Sequence, residues 1–111
     1  MTIKEIFEKD RVLQRILKKA FGSNVSIGRD DTKNSFGYIV YCYDDVRLSG
    51  LALKLVNRFE PLVVYAPTDR TFAFIFRIPY SIDVKKLESE LGIETEEVDN
   101  DVRLFWETSK A

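Results

Sequence analysis

Two hydrophobic periods alternate along the chain, and the points where one replaces the other mark the predicted elements. From Ile3 to Phe21, apolar residues recur every three or four positions, which keeps them on one face of an α-helix. Thr2 and Glu5 match a capping box, whose side chains satisfy the free N–H groups at a helix start. Gly22 follows at the position of a left-handed helix end. The pattern therefore predicts a first amphipathic helix that ends before Gly22.

Runs of aromatic and β-branched residues with period-two alternation predict the strands. Polar turns at residues 28–34 and 67–70 indicate that four of these strands form two hairpins. Five strands are predicted in this way, at residues 25–27, 36–43, 62–66, 71–78 and 102–107.

Two further helices are predicted between the strands. The first begins after Asp44-Asp45, which can cap it, and stops before Pro61, because proline disfavours helical geometry in the preceding residue. The second is short and starts after a cap at Asp83 or Ser81.

The element order is therefore α-β-β-α-β-β-α-β, in which a helix followed by a hairpin occurs twice. No linker rich in Gly, Ser or Pro interrupts the chain, so residues 1–111 are expected to form a single domain. The expected fold class is α+β, with one layer of mostly antiparallel sheet of about five strands. Three helices are expected to cover one face of this sheet.

The predicted strands carry apolar side chains on both faces, whereas three modest helices can cover only one. Side chains alternate between the faces of a strand, so each strand divides into two sets. The set predicted to face away from the helices is Ile39, Tyr41, Tyr43, Val63, Tyr65, Ile75 and Phe105, with Arg77 and Arg103 among them. A large apolar patch seldom stays bare on a soluble protein, so this second face is the candidate functional surface.

Three interpretations of the second face remain open. Helices on both sides of the sheet would make it ordinary core. A subunit interface would also suit it, because Tyr, Phe and Arg are enriched in interfaces. The third interpretation is a platform for single-stranded nucleic acid, in which aromatic rings stack on bases and arginines hold phosphates.

The composition excludes most enzymatic chemistry. There is no histidine, which removes Ser-His-Asp and Cys-His catalysis and the commonest transition-metal ligand. The single cysteine, Cys42, allows no intrachain disulfide and no Cys-rich zinc site, and its strand-like surroundings suggest a buried hydrophobe. The five glycines are too dispersed for a phosphate-binding loop. We therefore expect no catalytic activity, no metal and no cofactor.

Charge and composition bear on partners and location. The net charge of −1 argues against a generic duplex binder, which is usually basic, but single strands remain possible where stacking supplies the affinity. There is no long uncharged apolar run and no signal-peptide pattern, so no membrane association is expected. Thermolabile residue types are scarce, and the expectation is a cytoplasmic protein from a thermophile.

Paired carboxylates offer a third class of function. Asp44-Asp45 and Asp30-Asp31 could be imagined as ligands of a hydrolytic metal site. Turn and cap roles explain both pairs more simply. A carboxylate-metal nuclease is therefore the least favoured class.

The leading hypothesis is a non-enzymatic, homodimeric protein that holds single-stranded nucleic acid on its second sheet face. In this hypothesis Tyr41, Tyr43 and Tyr65 stack on bases together with Phe105, and the candidate phosphate-binding residues are Arg77 and Arg103. The alternative is an interaction or assembly subunit that homodimerises through the same face and does not bind nucleic acid.

Overall fold

The computed structural model describes residues 1–22, 25–43 and 46–93. Three helices and four strands follow one another there in the order α-β-β-α-β-β-α. The elements are α1 (Ile3–Phe21), β1 (Ser26–Arg29), β2 (Ser35–Tyr43), α2 (Gly50–Phe59), β3 (Leu62–Ala66), β4 (Thr71–Pro79) and α3 (Val84–Leu91).

The four strands form one antiparallel sheet in the order β1-β2-β4-β3. Each hairpin contributes one central and one outer strand, and the two hairpins meet where β2 pairs with β4. That central ladder runs from Ser35 opposite Pro79 to Tyr43 opposite Thr71. The two helix-and-hairpin units of the sequence thus form two halves with the same element order, joined at the middle of the sheet.

The predicted fold class, α+β with three helices and an antiparallel sheet, is confirmed. The predicted number of about five strands is slightly wrong, because the described residues form four. The predicted last strand, at residues 102–107, lies outside the described residues.

Side-chain caps begin each helix where the chain leaves an extended segment. Thr2 accepts a hydrogen bond from the Glu5 N–H at 3.2 Å, and Asp83 accepts one from the Lys86 N–H at 3.1 Å. The cap of α2 is Ser49, whose Oγ accepts from the Ala52 N–H at 3.1 Å. The expected cap at Asp44-Asp45 is therefore wrong, because the helix begins later than the first polar residues after β2.

The hydrophobic core lies between the helices and one face of the sheet. Buried side chains from all three helices form a single cluster with Phe36, Tyr38, Val40 and Cys42 of β2 and with Phe74, Phe76 and Ile78 of β4. These strand residues belong to the face that the alternation predicted to be the core. We call it the helix side of the sheet, and the opposite face the open face.

Phenylalanines fix the helices against β4. The Phe21 ring, at the end of α1, lies 5.6 Å from the Phe74 ring and 6.0 Å from the Phe76 ring. Phe59, at the end of α2, meets Phe76 edge-on at 6.4 Å. Aromatic rings prefer such tilted and edge-on arrangements, which add to the gain from burial. α1 and α2 are therefore held on one side of the sheet by β4, one of its two central strands.

None of these three helices is long and apolar enough to cross a membrane.

Candidate interaction face of the sheet

The register of the sheet determines which side chains share the open face. Residues directly opposite each other in an antiparallel ladder project to the same side. Tyr41 pairs with Ala73, and Ala73 pairs with Val64 on the other side of β4. In the next row, Ile39 pairs with Ile75, which pairs with Leu62. The open face thus carries Ile39, Tyr41, Tyr43, Leu62, Val64 and Ile75 around Ala73.

Tyr41 stands at the middle of this face. Its side chain is 48% exposed, whereas Ala73 beside it is only 9% exposed, because Tyr41 and Val64 flank the small residue on both sides. On the outer side, the Tyr41 ring lies against Gly28 of β1, where a Cβ would come within 3.4 Å of Cε2. One side of the ring therefore contacts the sheet, and the rest of the ring faces solvent.

Tyr43 extends the aromatic surface along β2. It projects to the same side as Tyr41, two positions along the strand, and is 67% exposed. A strand rises about 3.3 Å per residue, so the two side chains leave the backbone about 7 Å apart. The prediction that these two tyrosines share an uncovered face agrees with their positions in the structure.

Tyr65 lies on the helix side, so the predicted grouping with Tyr41 and Tyr43 is wrong. It pairs with Phe72, and Val63 pairs with Phe74, which places both β3 residues on the face of the core phenylalanines. The sequence gives no warning, because β3 is apolar at all five positions and alternation cannot distinguish its faces. Tyr65 is nevertheless 57% exposed, since it belongs to an outer strand.

Arg77 lies on the open face as predicted, but it already has a partner. Its guanidinium donates to the backbone carbonyl of Asp30 and, at 2.5 Å, to Oδ2 of the same residue. Gly37, opposite Arg77, permits this contact, because a Cβ there would overlap the Asp30 carbonyl. The pairing neutralises the one charged side chain that the four described strands place on this face.

Two predicted site residues, Arg103 and Phe105, lie outside the described residues. The same holds for Asp44 and Asp45, the carboxylates of the nuclease hypothesis. The described carboxylates and thiol include no cluster of three or more that could hold a metal ion.

The helix side contains a polar cluster that the sequence analysis missed. Tyr38 donates its hydroxyl to Asp10 Oδ1 at 2.5 Å, Gln14 donates to Oδ2 at 2.9 Å, and Arg29 also donates to this carboxylate. Asp31 holds Arg29 from the other side at 2.6 Å. Asp10 interrupts the apolar stripe of α1, which is the signal that could have indicated a buried partner on the sheet.

Burial and hydrogen bonding shift the pKa values of Tyr38 and Asp31 in this cluster. Burial raises the pKa of the Tyr38 hydroxyl, and its hydrogen bond to the Asp10 carboxylate raises that pKa further. Partial burial tends to raise the pKa of Asp31, but hydrogen bonds from Arg29 and the Gly37 N–H outweigh it, and the pKa of Asp31 is lowered. The cluster therefore holds a neutral tyrosine between charged groups and ties α1 to β1 and β2. We interpret it as structural, since every group in it has a protein partner.

Comparison of the chain with protein-family models, with curated proteins and with solved structures found no match.

Proposed function

We propose that this protein is a non-enzymatic assembly module that buries the open face of its sheet against the open face of a second copy. The observation that carries the proposal is an uncovered apolar surface built around Tyr41, whose one strand-borne charge, Arg77, is neutralised by Asp30. Two sheets that pack face to face need apolar, uncharged inner surfaces of this kind.

The chemistry of the face favours a protein partner over a polyphosphate. A nucleic acid brings one negative charge per nucleotide, and binding proteins compensate these charges with lysines and arginines. Arg77 would have to leave Asp30 to do so. Aliphatic side chains such as Ile39, Val64 and Ile75 surround the tyrosines, and they suit interdigitation with another apolar face better than stacking on bases.

The test is the molar mass of the protein in solution, measured by light scattering during size-exclusion chromatography. We expect the wild type to associate and Tyr41→Asp to weaken the association, since a central aromatic anchor contributes about 2 kcal/mol or more. The matched control is Phe7→Asp, because Phe7 is also an exposed aromatic residue but lies on α1. Association that Tyr41→Asp leaves unchanged would contradict the proposal.

A second candidate function is the binding of single-stranded nucleic acid, and one observation favours it. Tyr41 and Tyr43 present two exposed rings on the same side of one strand, which suits stacking on successive bases. Fluorescence anisotropy with labelled oligonucleotides at two salt concentrations tests this. Salt-dependent binding that Tyr43→Ala weakens would favour nucleic acid, whereas no binding at tens of micromolar protein in low salt would remove it.

A further inference from the structure

Among the described residues, nothing protects the outer edge of β3. β3 ends the sheet, and within the described part of the chain no strand pairs with its outer edge. Its four large side chains, Leu62, Val63, Val64 and Tyr65, are all exposed by about half or more, on both faces of the sheet. Natural proteins guard such edges with charges, proline or bulges, because free N–H and C=O groups recruit another strand. β3 contains neither a charged residue nor a proline.

The opposite edge of the sheet, at β1, is better protected. β1 has only four residues and includes Gly28, which weakens strand propensity. It ends at Arg29, whose guanidinium is held by Asp10 and Asp31. The glycine and the charged residue make β1 a poorer template for pairing than the uniformly apolar β3. The two edges therefore differ, and only that of β3 is suited to accept a strand.

We propose that the β3 edges of two copies pair antiparallel around a two-fold axis, which joins their sheets into one of eight strands. With Val64 at the axis, the five residues overlap completely. Val64 then meets its own copy on the open face, and Val63 meets the partner's Tyr65 on the helix side. Pairs of a β-branched with an aromatic residue stabilise antiparallel ladders, and no pair in this register brings charges together. The strand is thus complementary to itself.

The two-fold axis of the edge contact determines where the open faces of the two copies lie. Directly paired residues project to the same side, so both open faces lie on one side of the joined sheet, and the helices of both copies lie on the other. The edge axis is perpendicular to the sheet, whereas a face-to-face axis lies parallel to it. Two joined sheets packed face to face would form a closed set of four copies. This last step rests on the proposed function, but the edge contact does not.

Because the edge contact is small, association through it must be measured at high protein concentration. A stable interface buries about 800 Å² on each partner, and one strand edge of five residues offers less than that. Edge pairing alone is therefore expected to be weak and concentration-dependent. We would measure molar mass by sedimentation up to about 0.5 mM protein, a concentration at which contacts with submillimolar Kd values are populated.

The variants use the helix-side positions of β3, which leaves the open face unchanged. Val63→Lys combined with Tyr65→Lys places like charges opposite each other across the axis and should halve the molar mass of the assembly. The matched variant, Val63→Glu with Tyr65→Lys, alters the same positions but places opposite charges across the axis, and it should restore the wild-type mass. Circular dichroism checks that both variants fold.

The outcomes distinguish this inference from the proposed function. If both hold, the wild type forms four copies, and either the double-lysine variant or Tyr41→Asp reduces it to two. If only the edge contact exists, a dimer forms that the double-lysine variant dissociates and Tyr41→Asp does not. A dimer that responds only to Tyr41→Asp overturns the edge inference. A monomer at the highest concentration overturns both.

Discussion

At the scale of single residues, the cluster around Asp10 is a polar contact that joins α1 to the sheet. Its carboxylate accepts from Tyr38, Gln14 and Arg29, and Arg29 also stacks over the Tyr38 ring at 4.7 Å from the centroid. A partly buried carboxylate with three donors fixes both position and rotation of the helix, which apolar contacts alone define less sharply.

We expect Tyr38→Phe to lower the free energy of unfolding by about 1–2 kcal/mol. The ring would keep its packing, but the hydrogen bond from the buried hydroxyl to the Asp10 carboxylate would be lost. Urea denaturation measures the change. The control is Tyr80→Phe, which removes an exposed hydrogen bond to the Thr32 carbonyl and should cost less. Equal losses in the two variants would mean that the hydrogen bond to Asp10 stabilises the fold no more than an exposed hydrogen bond does.

Asp31 should make the protein sensitive to acid. Its pKa is lower in the folded protein than in the unfolded chain, where an Asp pKa is about 3.9, so the unfolded state binds the proton more readily. The stability that Asp31 contributes is therefore present above about pH 4 and is lost as the pH falls toward its folded pKa. We expect Asp31→Asn to lower stability at pH 7 and to flatten the decline between pH 5 and 2. Parallel stability–pH curves for the two proteins would contradict this.

At the scale of elements, the turn between β1 and β2 closes one end of the open face. Asp30 lies against Gly37, Arg77 holds Asp30 from β4, and the Gly37 N–H donates to Asp31 at 2.9 Å. Strand β2 can therefore approach its own hairpin turn only because residue 37 lacks a side chain. The turn also explains why Arg77 is not available to a ligand.

Gly37→Ala is expected to destabilise the protein by several kcal/mol. The added methyl group would overlap backbone atoms of Asp30, which cannot rotate away as a side chain could, so the turn must move and the contact between Asp30 and Arg77 is disturbed. Gly28→Ala is the matched control, also on the open face, where the new Cβ makes ordinary contact with Tyr41. Thermal unfolding of both variants gives the comparison, and similar Tm values would show that the turn adapts freely.

At the scale of the whole molecule, periodicity and turn residues predicted three helices, both hairpins and the helix-covered face. β3 has its predicted bounds, and α3 begins after Asp83, one of the two caps predicted for it. The site was predicted only in part. Tyr41, Tyr43 and Arg77 lie on the open face, but the face of Tyr65 depends on pairing with β4, which a uniformly apolar strand does not reveal. The partner of Arg77 could not be predicted either, because Asp30 is distant in the sequence and comes close to Arg77 only in the folded protein.

The junction of the two halves at β2 and β4 has a consequence for folding kinetics. Each hairpin closes through a short turn, whereas the central ladder joins residues as distant in the chain as Ser35 and Pro79. Distant contacts form late because ordering the intervening chain costs entropy before those contacts exist. The encounter of two formed hairpins should therefore limit the refolding rate. A shortened side chain at Ile39 or Ile75 would then slow refolding, while changes at the outer strands would mainly accelerate unfolding.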